Sequence, residues 1–150
     1  MLQLLSPMTG TAIPLDQVPD TAFSRKLLGD GAAIVPEEGV IVSPVDGVLS
    51  AISGTLHAYI FSTPEGQDIL VHVGLESVGL QGRGFYPLKQ PGDPVKAGEP
   101  VADVDLLLLK KKGVPLYTPV VICEGAEGMP LTAKTGPVTA GQTVLLTLEP

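Results

Sequence analysis

The chain has 150 residues, 44% of them hydrophobic and 17% charged, which excludes a disordered polar segment and suffices for one folded domain spanning residues 1–150. Sixteen acidic against nine basic residues leave a formal charge of −7, so phosphate backbones repel the chain, nucleic acid is disfavoured as a partner and a basic protein surface is welcome. The one cysteine, Cys123, excludes an internal disulfide framework and fits a reducing compartment.

The N-terminal "MLQLLSPMTG" lacks a basic flank and has only a five-residue apolar stretch, so neither a signal peptide nor a membrane span is expected, and the protein reads as cytoplasmic. Strand material begins by Leu4, so no flexible amphipathic tail that would dock on a membrane is expected. With 18 Gly and 15 Pro, long helices are disfavoured and short strands joined by tight turns are expected. "VPDTAFSRKLLGDG" offers Asp20 or Thr21 as a helix start and Gly29 as a stop, enough for about two turns. "GVIVSPVDGVLSAIS" reads as two strands around a Pro44–Gly47 turn, followed by strands in "HAYIF" and "DILVHVG". "EPVADVD" is another strand. In "DLLLLKKKG", Asp105 caps a short helix that ends in Lys110, Lys111 and Lys112 before Gly113. "YTPVVICE" and "QTVLLTLE" complete the pattern, with Cys123 as a buried filler of the core. At least eight strands at such spacing predict an all-β antiparallel sandwich or barrel.

Two stretches echo one another. "SPMTGTAIPL" and "SPVDGVLSAI" share Ser-Pro, a glycine five residues into the motif and an apolar strand, and "GDPVKAGEPVADVD" is a looser third echo. This pattern suits a pseudo-symmetric sandwich of related hairpins.

The chain contains two histidines, His57 and His72, at the two ends of "HAYIFSTPEGQDILVH". If this is a hairpin with an even loop at Thr63–Gly66, paired positions sum to 129 and the histidines oppose one another with Cβ atoms ~5 Å apart. A three-residue loop would shift the register by one and remove that opposition. Paired imidazoles suit three uses: a nucleophile with a hydrogen-bond donor beside it, half of a zinc site, or inert sheet residues.

The blocks "VPDTAFSRKLLGDG", "SPVDGVLSAI", "GTLHAYIFSTPEGQDILVHVGLESVGLQGRGF" and "GDPVKAGEPVADVD", followed by "TPVVIC", resemble the glucose-type IIA domain of the bacterial phosphotransferase system over almost the whole chain. The resemblance implies an antiparallel β-sandwich of barrel-sandwich hybrid character with short rim helices. It implies that His72 accepts a phosphoryl group from the phosphohistidine of HPr and passes it to a cysteine of a IIB domain, in the service of sugar uptake. His57 then matches the histidine that hydrogen-bonds the phosphoryl group, and Thr55 the hydroxyl that orients His57. The Gly74 backbone is expected to approach the group freely. Asp20, Phe23, Val71 and Glu76 correspond to the partner-binding rim, with regulatory protein partners as a further implication. No metal or nucleotide is required, and the chain has no GxxxxGK[ST] loop.

The sequence departs from the better-known members at Thr21, Ala22 and Ser53, smaller or more polar than usual, and at Gly79, which replaces an acid. Two alternatives on the same fold remain at this stage. One is a regulatory binding protein without the relay, and the other is a module whose His57 and His72 bridge zinc with a partner's ligand. A carrier lysine at Lys89 and a zinc enzyme are the weaker rivals.

Overall fold

In the computed structural model, which describes residues 1–150, the short apolar runs fold into fourteen strands and two short helices. In chain order these are β1 (Leu2–Leu5), β2 (Gly10–Pro14), α1 (Thr21–Ser24), β3 (Asp30–Pro36), β4 (Val40–Val42), β5 (Gly47–Ile52), β6 (Ala58–Ser62) and β7 (Asp68–His72). Then come β8 (Phe85–Pro87), β9 (Pro94–Val95), β10 (Pro100–Val104), α2 (Leu106–Lys111), β11 (Thr118–Glu124), β12 (Leu131–Ala133), β13 (Gly136–Val138) and β14 (Val144–Leu148). An eight-stranded sheet runs β13-β2-β3-β11-β7-β6-β5-β9, and two three-stranded sheets run β1-β14-β12 and β4-β10-β8. Every pairing is antiparallel.

The echo between the two Ser-Pro stretches is a structural repeat. Ser6 and Ser43 are both fully buried, and each hydroxyl donates to the carbonyl two residues on, Met8 at 2.7 Å and Val45 at 2.6 Å. Ser6 O accepts from Gly141 N as Ser43 O accepts from Gly98 N. Gly10 then pairs with Val138 as Gly47 pairs with Val95. The looser third echo is therefore one half of a second repeat, "PVKAGEPV" and "PVTAGQTV", whose two copies brace the two Ser-Pro motifs. The two motifs also interlock: Leu5 N donates to Pro44 O and Val42 N to Pro7 O.

The main core joins 26 buried side chains from Leu4 to Leu148. Each fully buried Leu, Ile, Val or Phe there contributes about 2 kcal/mol through burial. A second cluster of Leu15, Val18, Phe23, Ala33, Leu75 and Val121 lies on the outer face of the large sheet. Strand alternation explains the division: Val120 and Ile122 of β11 join the main core, and Val121 between them joins the second cluster.

Three expectations need correction. Helix α1 is a single turn that stops at Ser24. Asp20 caps it by accepting from Ala22 N at 2.9 Å, and Lys26, at φ 58°, takes the left-handed closing position expected of Gly29. The β6–β7 hairpin has a three-residue loop, Pro64-Glu65-Gly66, because Gly66 at φ +100° turns the chain and Thr63 N donates to Gln67 O. Paired positions therefore sum to 130, so His72 opposes Ala58. Cys123 is only half-buried, since β11 leaves the core at its C-terminal end. Helix α2 matches expectation, with Asp105 accepting from Leu108 N at 3.0 Å and lysines in the last turn. Strand β3 was not foreseen, since its Gly31, Ala32 and Ala33 carry little strand signal.

Candidate functional site

His72 is the last residue of β7, half-buried on the outer face of the sheet, with Val71 pointing into the main core behind it. Its Nδ1 lies 2.9 Å from the Gly74 carbonyl oxygen. A carbonyl only accepts, so Nδ1 carries the proton and the neutral ring keeps its lone pair on Nε2. Gly74 can present its carbonyl this way because it sits at φ +77°, where an added Cβ would fall 2.5 Å from Ser77 Oγ. That serine is itself held by donating to Val73 O at 2.5 Å. The backbone carbonyl at Gly74 thus orients His72.

His57 stands just before β6, where its carbonyl accepts from Val73 N at 2.8 Å. Continued alternation would turn its ring to the core face. The chain instead leaves the strand at once, with Leu56 in the left-handed region at φ 64°. The two rings meet edge to face, centroids 4.8 Å apart and planes at 83°. Direct opposition fails, yet the imidazoles are brought together by this break in the strand. Thr55 Oγ1 lies 2.8 Å from His57 Nδ1, the contact expected of the orienting hydroxyl. Ser53 Oγ lies 3.4 Å from the same nitrogen.

Burial holds both imidazoles below their ordinary titration point. For His72, desolvation comes first and the neighbouring His57 lowers it further, while the Gly74 carbonyl and the Asp20 carboxylate pull upward. For His57, desolvation again dominates, opposed by the Thr55 backbone. Both rings are therefore held neutral near pH 7, the state in which an imidazole can serve as a nucleophile or as an uncharged hydrogen-bond donor.

The expected rim divides. Asp20 is half-buried at the start of α1 and acts on His72 through its charge. Glu76 is exposed, at φ 59°, before a short 3-10 turn at Ser77–Leu80. Phe23 and Val71 are corrected: they are 3% and 0% exposed, so neither side chain offers surface to a partner. Phe23 instead packs its ring on His72, centroids 5.1 Å apart. The exposed apolar side chain in the Glu76 turn is Val78, which the sequence reading did not single out. Lys89 is tied to Glu99 at 2.8 Å. No three His, Cys, Asp or Glu side chains gather where a metal could sit. No helix is long and apolar enough to cross a membrane.

Sequence reasoning passed over Ser53 and the Gly74 carbonyl as parts of the site. Only the glycine two positions after His72 carried a signal, because a left-handed turn there favours it.

Residues 2–127 match the family of the phosphoenolpyruvate-dependent sugar phosphotransferase system, EIIA 1. The chain is 38% identical over 148 residues to the glucose-specific EIIA component of Haemophilus influenzae, covering 99% of this chain and 89% of that protein. It is 39% identical over 150 residues to the N-acetylglucosamine-specific EIICBA component of Escherichia coli, spanning 98% of this chain but 23% of that protein's length. The fold superposes on glucose permease IIA from Mycoplasma capricolum with a TM-score of 0.89 at 36% identity, over 97% of this chain and 94% of that one. The antiparallel sandwich thus comes with whole-length likeness to proteins of one phosphoryl relay, and the chain belongs to the EIIA 1 family of the sugar phosphotransferase system, a phosphotransferase component of sugar uptake.

Proposed function

We propose that His72 is the phosphoryl acceptor of this protein and that it reacts through Nε2. The observation that carries this is the 2.9 Å contact from His72 Nδ1 to the Gly74 carbonyl, which leaves Nε2 as the free lone pair beside His57. That lone pair attacks the phosphorus of a donor phosphohistidine, the donor's P–N bond breaks, and its electron pair returns to the donor nitrogen. Nδ1 keeps its proton, so positive charge builds on the ring. The Gly74 carbonyl and the Asp20 carboxylate stabilise that charge. His57, its Nδ1 taken up by Thr55, turns Nε2–H to a phosphoryl oxygen. Phosphoryl transfer needs mainly positioning and charge stabilisation, which this arrangement supplies.

The family points to HPr as donor and a IIB cysteine as acceptor, in the cytoplasm, with Asp20 and Glu76 at the docking rim. The core cluster reaching from Leu4 to Leu148 supports residues 1–150 acting as one domain. The test is incubation with phosphoenolpyruvate, the first relay enzyme and HPr, read by intact mass. Wild type gains one acid-labile phosphate and His72→Ala gains none. His57→Ala is still phosphorylated but fails to hand the group to a IIB domain. A phosphate on His72→Ala, or none on wild type, overturns the assignment.

A further inference from the structure

The loop between β5 and β6 is five residues, Ser53 to His57, and it closes on itself through Ser53. Ser53 N donates to Ala58 O at 2.9 Å, and Leu56 N donates to Ser53 O at 2.9 Å. The Ser53 hydroxyl oxygen accepts from Ala58 N at 3.2 Å. An amide N–H can only donate, so Oγ is the acceptor there and its own proton is free to point elsewhere. The other polar partner of that hydroxyl is His57 Nδ1, at 3.4 Å.

We propose that Ser53 is a second positioning residue for the phosphoryl relay, acting with Thr55 to hold His57 in the tautomer that carries its proton on Nε2. The inference deepens the reading of His57 as phosphoryl donor and rests on it. Two hydroxyls converge on one ring nitrogen, Thr55 Oγ1 at 2.8 Å as the strong contact and Ser53 Oγ at 3.4 Å as the weaker one. Thr55 alone biases the tautomer without fixing it, because a hydroxyl can donate to a bare nitrogen or accept from a protonated one. Ser53 weights that choice: one lone pair of its oxygen is taken by the Ala58 amide, and its hydroxyl proton has no acceptor in the protein other than Nδ1, so it is placed to donate there. With Nδ1 accepting, the proton of the neutral ring sits on Nε2. A residue with no hydroxyl at position 53 would leave the choice to Thr55.

Loss of one hydroxyl is then partly covered by the other, and loss of both is not. Ser53→Val slows transfer from phospho-His72 to a IIB cysteine about threefold, and Thr55→Val about tenfold. Together they slow it about a hundredfold, more than the product of the two. The decisive readout is the ring nitrogen shifts of His57 in ¹⁵N-histidine-labelled protein without phosphate. Wild type shows a protonated Nε2, the Thr55→Val protein stays mainly so, and adding Ser53→Val gives a mixture of tautomers. Ser53→Thr in the Thr55→Val background restores the wild-type pattern because it keeps the hydroxyl, and a purely structural loop contact would not produce that reversal. A His57 tautomer indifferent to Ser53→Val in that background, or a wild-type ring protonated at Nδ1, overturns the proposal. If wild type takes no phosphate on His72, the reading of the relay falls. The nitrogen shifts need no phosphate and still decide the part played by Ser53.

Discussion

At the scale of single residues, the site depends on two imidazoles kept neutral and pointed in opposite senses. His72 donates from Nδ1 to Gly74 and keeps Nε2 bare, whereas the hydroxyls at Thr55 and Ser53 engage His57 on Nδ1. Burial lowers both titration points from the ordinary 6.5, and this fixes how stability depends on pH. In the unfolded chain each ring takes its proton near 6.5, before the folded ring does. The stability they contribute is complete above that pH and is lost as pH falls from there through the lowered folded values. The urea midpoint of wild type should fall between about pH 7 and about pH 5.5 by more than that of the His57→Gln/His72→Gln protein. Equal slopes for the two would contradict the assignment of neutral, desolvated histidines.

At the scale of elements, the β6–β7 hairpin does two jobs with one alternation. Tyr59, Phe61, Ile69 and Val71 face the core, and Ala58 and His72 face outward. Tyr59 is the imperfect member: it is fully buried, its hydroxyl has no hydrogen-bond partner, and burial pushes its titration up to about 12. Tyr59→Phe should therefore raise stability by about 1 kcal/mol in urea denaturation, since it removes a buried hydroxyl that nothing satisfies. A loss of stability would mean the hydroxyl does have a partner. This hairpin also marks how far the sequence could be read. Its strands and its two histidines were legible from alternation and spacing. The loop was not, because "TPEG" accommodates an even or an odd turn, and only the left-handed Gly66 selects the odd one. The same limit hid the end of α1, where Lys26 adopts a conformation normally given to glycine. Val71 illustrates a different failure: the family resemblance put it at the rim, whereas strand alternation turns its side chain into the core.

At the scale of the whole molecule, the duplicated Ser-Pro and Pro-Val-x-Ala-Gly motifs brace one another across the interior, leaving the far side of the large sheet free to carry function. The Ser-Pro copies were visible in the sequence. The second Pro-Val-x-Ala-Gly copy at 137–141 is short and its flanks differ, so pairing revealed it. The outer cluster around Phe23 then walls the histidines on one side, and the β5–β6 loop closes on them from the other. The measurement that tests this account most directly is nitrogen–phosphorus NMR on the phosphorylated, ¹⁵N-histidine-labelled protein. The account predicts phosphorus bonded to Nε2 of His72, with Nδ1 of that ring still protonated against Gly74. Phosphorus on Nδ1 of His72, or on either nitrogen of His57, would contradict it.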